Sequence, residues 1–430
     1  MNFNTVSVIG LGYIGLPTAA VIASRRKQVI GVDISQKAVD TINRGEVHIV
    51  EPELDMLVHA AVNEGYLRAT TKAEPADAFL VAVPTPFKRE EGKTHVPDLT
   101  YIKAASLSIA PVLKSGDLVI LESTSPVGAT EQMEAWLAEA RPDLSFPSQA
   151  GEKSDIRVAH CPERVLPGHV VRELVENDRV IGGITQRCSE AACSLYEIFV
   201  KGESIITTAR TAEMAKLTEN SFRDVNIAFA NELSIICDKL KINVWELIRL
   251  ANRHPRVNIL QPGPGVGGHC IAVDPWFIVS QTPEQAQLIR TAREVNDSKP
   301  QWVIDQVNQA IGKFLGHHPH YTARDVTVAC LGLAFKPDID DLRESPALAI
   351  TQTLHKQLAS NLLVVEPNIS TLPTSLQGAT LSGIEEALEK ADIIVLLVDH
   401  KAFKKIELDR LSNRYLVDTR GVWTSQISKF

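Results

Sequence analysis

Val6-Ser-Val-Ile9-Gly10-Leu-Gly12-Tyr13-Ile14-Gly15-Leu-Pro17 decides the fold. A short apolar run ends in Gly-x-Gly-x-x-Gly, and an uncharged stretch to Ser24 follows. The pattern predicts a strand, a tight glycine turn and a helix. Such a turn brings backbone N–H groups and a helix N-terminus up to a pyrophosphate. Asp33 closes the next apolar run, 18 residues past Gly15. A carboxylate there accepts hydrogen bonds from ribose hydroxyls and repels a 2′-phosphate, which favours NAD over NADP. The plainer alternative is a glycine turn kept only for packing. Strand, helix and Asp33 together argue against it.

Outward from this turn, β-branched runs alternate with helical periods. Strands are expected at 6–10, 28–33, 79–83, 118–122, 157–161 and 179–182, with helices at 17–25, 99–113 and 129–139. Nearly continuous apolar strands separated by helices predict a parallel, doubly wound sheet. From 211 to 240 there is one helical period without proline or glycine, followed by helices near 244–252 and 283–310. The segment 316–321 reads as a linker. Strand–helix alternation returns at 326–331, 362–365, 393–398 and 415–417. The expected fold class is α/β, with two Rossmann-like doubly wound domains flanking a central all-helical dimerisation region. The expected boundaries are 1–208, 209–314 and 315–430. The two ends share an architecture, but no sequence repeat is visible.

Composition narrows the function. The 430 residues are 44% hydrophobic and 22% charged, with net charge −8. That is an ordinary globular mixture. It offers no bulk attraction to nucleic acid or anionic lipid. The six cysteines form no CxxC pair and no zinc spacing, so neither a disulfide framework nor a metal site is expected. The uncharged run 6–24 contains three glycines and a proline and lacks a basic leader, so no membrane segment is expected and the protein reads as cytoplasmic.

Several clusters carry chemistry. Pro84-Thr85-Pro86 and Glu122-Ser-Thr124-Ser-Pro-Val-Gly128 end two strands, where such sheets bind ligands. Their hydroxyls either reach a cofactor or close turns. Cys270 follows a run of glycine, proline and valine, then His269, rather than sitting in an apolar period. A thiol beside a glycine loop and a helix start is a candidate nucleophile, with His269 either assisting it or bonding structurally. Lys216, Asn220 and Arg223 share one helical stripe, which is either a solvated face or a seat for an oxygen-rich anion. Glu163 and Arg164 end a further strand, as crevice residues or a surface ion pair. Basic residues cluster again at 252–256 and 335–343, as a diphosphate requires.

The motifs GLGYIGLP, VPTP, ESTSPVGAT, CPER, AEMAKLTENSFRDVNIAFANE, GPGVGGHC and GLAFKPDIDDLRESP stand in this order over almost the whole chain. Together they resemble the UDP-glucose/GDP-mannose dehydrogenase family. The resemblance implies oxidation of a sugar C6 alcohol to a carboxylate with two NAD, through a thiohemiacetal and a thioester on Cys270. It implies Lys216 as proton donor and acceptor, Asn220 and Asp274 as supports for oxyanion and water, and Glu163 orienting the hydrolytic water. It implies NAD contacts from Gly10, Gly12, Tyr13, Ile14, Gly15, Asp33, Thr85, Thr124, Thr130 and Arg343. It places Arg164, Val165, Lys216, Asn220, Arg223, His254, Arg256, Gly267, Phe335 and Lys336 at the UDP-sugar. The long helix is expected to form a homodimer core through Met214, Leu217, Val225, Phe229, Leu233 and Ile236. Where UDP-glucose enzymes carry serine and lysine, this chain has His269 and Val273. That departure aligns it with the branch acting on UDP-N-acetyl-D-mannosamine in enterobacterial common antigen or other surface polysaccharide synthesis. UDP-GlcNAc, UDP-GalNAc and UDP-glucose are the alternatives. Two rivals are weaker: a single-step β-hydroxyacid dehydrogenase needs neither Cys270 nor residues 322–430, and a nucleotide-sensing protein has no use for Lys216 with Cys270.

Overall fold

The computed structural model describes residues 3–49, 51–88, 95–165, 168–268, 270–358 and 361–423. The chain divides into two compact units, Met1–Glu219 and Asn220–Phe430.

The first unit carries β1 (Thr5–Ile9), β2 (Gln28–Val32), β3 (Leu67–Thr70), β4 (Ala78–Val81), β5 (Leu118–Leu121), β6 (Arg157–His160), β7 (Arg179–Gly183) and β8 (Ser204–Thr208). They form one sheet in the order β3-β2-β1-β4-β5-β6-β7-β8. Helices that matter below are α1 (Gly15–Ala23), α2 (Ala129–Ala140) and α3 (Gln186–Tyr196). The central strands β4, β5 and β6 are buried at every position, as a sheet covered on both faces requires. The sheet departs from the expected all-parallel pattern at one place, where β7 runs antiparallel to β6. β3 and β8, which the sequence reading left out, are the two edges. Their partly exposed residues lack the long apolar runs that mark buried strands.

The unit boundary falls within α4 (Ala209–Leu240). The second unit contains α5 (Val244–Ala251), α6 (Asp274–Gln281), α7 (Gln287–His317) and α8 (Pro346–Leu358). Its sheet comprises β9 (Val328–Leu331), β10 (Leu362–Val365), β11 (Thr380–Leu381), β12 (Ile393–Leu396) and β13 (Tyr415–Asp418). The order β11-β10-β9-β12-β13 is all parallel. The expected linker at 316–321 begins inside α7, which runs through Gly316 to His317. Stacking of Phe314 on His318 and its edge contact with Tyr321 hold this end together.

The sheet order repeats the β3-β2-β1-β4-β5 part of the first unit, and so do local devices. Gly10 after β1 and Gly332 after β9 both have φ above +90°. Each donates its N–H to the last residue of the next strand over, Val32 or Val365, at 2.8 Å. Asp33 accepts from Leu11 N and Ser35 N at 2.9 and 2.8 Å. Glu366 accepts from Leu333 N and Asn368 N at 2.7 and 3.1 Å. The acids differ, Asp33 against Glu366, so this shared device, unlike the shared strand–helix alternation, is legible only in three dimensions.

Candidate active site

In the first unit the glycines do what their positions demand. A Cβ on Gly10 would lie 2.8 Å from the Ala82 carbonyl oxygen, and one on Gly15 only 1.8 Å from that of Gly10. At Gly12 a Cβ would meet nothing within 4 Å. The turn is thus tight inside and open outside, as a cradle for a diphosphate must be. Tyr13 is exposed and Ile14 half-buried. Asp33 is held by two N–H donors, and a carboxylate retains further lone pairs for ribose hydroxyls. The Thr85 hydroxyl is buried and has no hydrogen-bond partner among the described residues. A ligand hydroxyl or amide would satisfy it. These residues fit a bound dinucleotide.

Ser123 Oγ donates to the Val83 carbonyl at 2.6 Å, tying the ends of β4 and β5 together beside the half-buried Thr124. Thr130 is fully buried, and its hydroxyl is spent inside the protein, donating to Glu213 at 2.6 Å. Glu213 also accepts from Gly128 N and Thr130 N, at 2.6 and 2.8 Å, and so caps α2 from the start of α4. The sequence reading did not single out Glu213, because its partners lie more than 80 positions away.

Glu163 and Arg164 are not each other's ion-pair partners. Glu163 is buried and paired with Arg179 at 2.6 Å, while its other oxygen accepts the Arg164 N–H at 2.6 Å. The Arg164 guanidinium pairs with Glu219 at 2.7 Å. Val165 packs against the apolar core. Behind Glu163 lies Glu122, with one oxygen accepting from Tyr196 at 2.6 Å and the other without a partner among the described residues. Burial, and secondarily the charge of Glu163, pushes the Glu122 carboxyl up to about 7. A carboxyl raised in the folded state contributes stability that is intact below its unfolded value, 4.5, and is lost as pH rises through 7. Glu122→Gln is therefore expected to stabilise the protein at pH 8 by up to about 3 kcal/mol and to change little near pH 4. Thermal denaturation at the two pH values checks this, and equal shifts at both would refute it.

In the second unit, Cys270 is the one exposed thiol among the six cysteines. Burial pushes Cys161 and Cys330 up to about 12, which disqualifies both as thiolates. The Cys270 carbonyl accepts from Val273 N and Asp274 N at 3.1 and 2.8 Å, a turn that leads directly into α6. Asn220 Nδ2 donates to Asp274 Oδ2 at 2.6 Å, and both side chains are buried. So two expected site residues, far apart in sequence, meet within one turn of Cys270. His269 lies outside the described residues.

The glycine run is pressed against the loop that follows β9. A Cβ on Gly267 would sit 2.4 Å from the Glu344 carbonyl oxygen, and one on Gly268 2.9 Å from the Phe335 ring. Pro264, Gly265, Phe335, Pro346, Asp399 and Arg420 line a cavity there. Arg420, which the sequence reading missed, donates to Asp399 at 3.0 Å. Its place after the carboxyl end of β13 was the available signal. Lys336 is half-buried on the same loop. Arg343 grips Asp341 of its own loop at 2.6 Å. Lys216 is half-buried on α4, whereas Arg223, His254 and Arg256 are exposed. No group of metal-binding side chains occurs among the described residues, and none of their helices is long and apolar enough to cross a membrane.

The chain is similar to known proteins over almost its whole length. An NDP-N-acetyl-D-galactosaminuronic acid dehydrogenase of Ralstonia nicotianae is 67% identical over 99% of this chain and 98% of its own. A UDP-N-acetyl-D-mannosamine dehydrogenase of Salmonella typhi is 66% identical over 98% of this chain and all of its own. The solved structure of a UDP-D-ManNAc dehydrogenase from Pyrococcus horikoshii superposes with TM-score 0.86 at 37% identity, covering 97% of this chain and 96% of that one. Residues 4–200, 210–298 and 329–425 match, in turn, the NAD binding, central and UDP binding domains of one family. With a cradle for a dinucleotide in one unit and an exposed thiol in the other, the chain belongs to the UDP-glucose/GDP-mannose dehydrogenase family and is an NAD-dependent UDP-sugar dehydrogenase.

Proposed function

We propose that the protein oxidises the C6 alcohol of UDP-N-acetyl-D-mannosamine to the carboxylate, in two steps, for surface polysaccharide synthesis such as that of enterobacterial common antigen. The observation that carries the chemistry is the exposed Cys270 beside the buried Asn220–Asp274 pair. NAD, when bound, accepts one hydride in each oxidation. Lys216 takes the O6 proton as the alcohol becomes an aldehyde. An aldehyde carries no oxyanion from which to expel a second hydride. Attack by the Cys270 thiolate supplies one, as a thiohemiacetal stabilised by Lys216 and Asn220. Loss of the second hydride leaves a thioester. Water, oriented by Asp274 and Glu163, then adds to it, and Cys270 departs as thiolate. Asp33, Thr85 and Thr124 hold the cofactor, and Arg223, His254, Arg256, Gly267 of the glycine loop, and Phe335 and Lys336 of the loop after β9 hold the UDP-sugar.

The 67% identity to a relative named for N-acetylgalactosaminuronic acid favours UDP-GalNAc as a second reading of the substrate. NADH formed per limiting sugar separates them. Two NADH from UDP-N-acetyl-D-mannosamine and little from UDP-GalNAc is the expected result. The reverse would change the substrate and keep the mechanism, and one NADH per sugar would overturn the double oxidation.

Asp33→Asn is expected to weaken NAD about tenfold or more, by removing charge-assisted bonds to the ribose, and to narrow the preference over NADP. Fluorescence titration with both cofactors checks this, and an unchanged ratio would move the ribose contact elsewhere.

The proposed homodimer rests on α4. Phe222, Phe229 and Ile236 are exposed at seven-residue spacing, and Met214 and Leu240 are exposed too, the pattern of a seam for another helix. Leu217, expected in this seam, is instead fully buried within the chain. Phe229→Glu is expected to yield a folded monomer in sedimentation, and a dimer that persisted would place the interface elsewhere.

A further inference from the structure

Residues 252–265 form no helix or strand. Yet this segment joins the basic turn Arg253-His254-Pro255-Arg256 to the glycine run that ends at Cys270. Without a ladder, its backbone donors and acceptors need other partners. Three asparagine side chains supply them. Asn252 accepts the Ile259 N–H at 2.8 Å and donates to the Ile259 carbonyl at 2.9 Å. One side chain thus makes both bonds that a paired residue of an antiparallel strand would make, and it closes the neck of the loop 253–258. Asn226 on α4 brackets the same point, accepting the Leu260 N–H at 2.9 Å and donating to the Asn258 carbonyl at 2.9 Å. Asn231, fully buried, accepts the Gly263 N–H at 2.9 Å and donates to Asn296 at 2.8 Å. A backbone N–H can only donate, so in each case it fixes which way the amide points. At Asn226 and Asn252 one amide serves a backbone donor and a backbone acceptor at once; aspartate would offer the carbonyl no donor, and alanine would remove both bonds.

We propose that Asn226, Asn231 and Asn252 form a clamp that stands in for an absent strand and positions the loop 253–263 for the UDP-sugar. This rests on the reading above that His254 and Arg256 contact substrate, and it names the positioning residues of that same site. The far end of the clamped loop lies against the UDP binding domain: a Cβ on Gly263 would come within 2.6 Å of Arg420. A loop held in advance need not be ordered when ligand arrives. The clamp is therefore read in UDP affinity rather than in the cofactor.

Asn252→Ala and Asn226→Ala, made separately, test it. UDP alone is titrated by calorimetry, and KM is measured for the UDP-sugar and for NAD. UDP binding and sugar KM are expected to worsen about tenfold or more, with NAD KM unchanged within about twofold. Asn226→Asp, which keeps the acceptor for Leu260, is expected to fall between wild type and Asn226→Ala. Unchanged UDP affinity in folded variants overturns the clamp, and so does a parallel loss of UDP and NAD affinity. The half-buried Asn226 carries the test if Asn252→Ala does not fold. UDP binding is read without turnover. A wild-type protein that failed to give two NADH per sugar would therefore strike the proposed chemistry and leave the clamp readout standing.

Discussion

Cys270→Ser is expected to stop the reaction after its first oxidation. A serine hydroxyl has the thiol's place but almost none of its anion at neutral pH, so the adduct that must release the second hydride forms far too slowly. The rate of the second oxidation should fall by about 10³-fold or more, while affinity for NAD and for UDP stays near that of the parent. The measurement is NADH against sugar over a long incubation with enzyme in excess. The parent should reach two per sugar and the variant no more than one. Two per sugar at the parent's rate would remove Cys270 from the chemistry. Around the proposed nucleophile, Asp274 is bonded to Asn220, and the Cys270 carbonyl anchors the turn into α6. Cys270 itself is an exposed residue.

The largest expected loss of stability comes from Arg293→Met. Arg293 on α7 is buried and paired with the fully buried Asp224 of α4 at 2.6 Å. Asn296 donates to the same carboxylate at 2.8 Å, then passes the network to Asn231 and the glycine-rich loop. Burial, the largest influence, raises the Asp224 carboxyl even with Arg293 beside it. Without the guanidinium a buried charge stands uncompensated, which costs about 3–5 kcal/mol. The raised carboxyl favours the folded state below its ordinary pKa and loses that advantage as pH rises, so the variant's deficit should be smaller at pH 4 than at pH 8. Urea denaturation at both values checks it, and a deficit independent of pH would mean packing, not charge, is lost. Arg293→Met with Asp224→Asn should recover much of the loss, because the pair would be removed together.

What could be read from the sequence were groups whose signal is local. Gly10, Gly12, Gly15 and Asp33 announce themselves by spacing, because a phosphate turn and a ribose-binding acid lie in one strand–helix–strand unit. The apolar runs of β1, β2, β4, β5 and β6 were equally plain, since strands buried on both faces carry no polar alternation. The edges β3 and β8 were lost for the opposite reason. Cys270 stood out because nothing around it looks like core. By contrast, Glu213, Glu122, Arg420 and the clamping asparagines act through partners distant in the chain or through backbone atoms. Asn226 and Asn231 lay inside a quoted motif, yet a helical asparagine reveals its partner only once a loop is folded against it. Thr130 shows the limit from the other side, for its hydroxyl is engaged by Glu213.

The two sheets share a device at the second strand's end, but only one copy is open. Asp33 is half-buried beside an exposed Ile34, whereas Glu366 is sealed under His400, whose ring nitrogen lies 3.0 Å from its oxygen. Among the described residues the chain therefore has a single seat for a dinucleotide, although the proposed reaction uses two. In the proposed reaction the turnover then includes an exchange: the spent cofactor leaves and a fresh one enters while the half-oxidised sugar stays behind. Retention then becomes a task of its own, and a covalent tether to sulfur meets it. On this view the thiol matters to bookkeeping as well as to electronics, since it keeps a reactive aldehyde from diffusing away between the first passenger and the second.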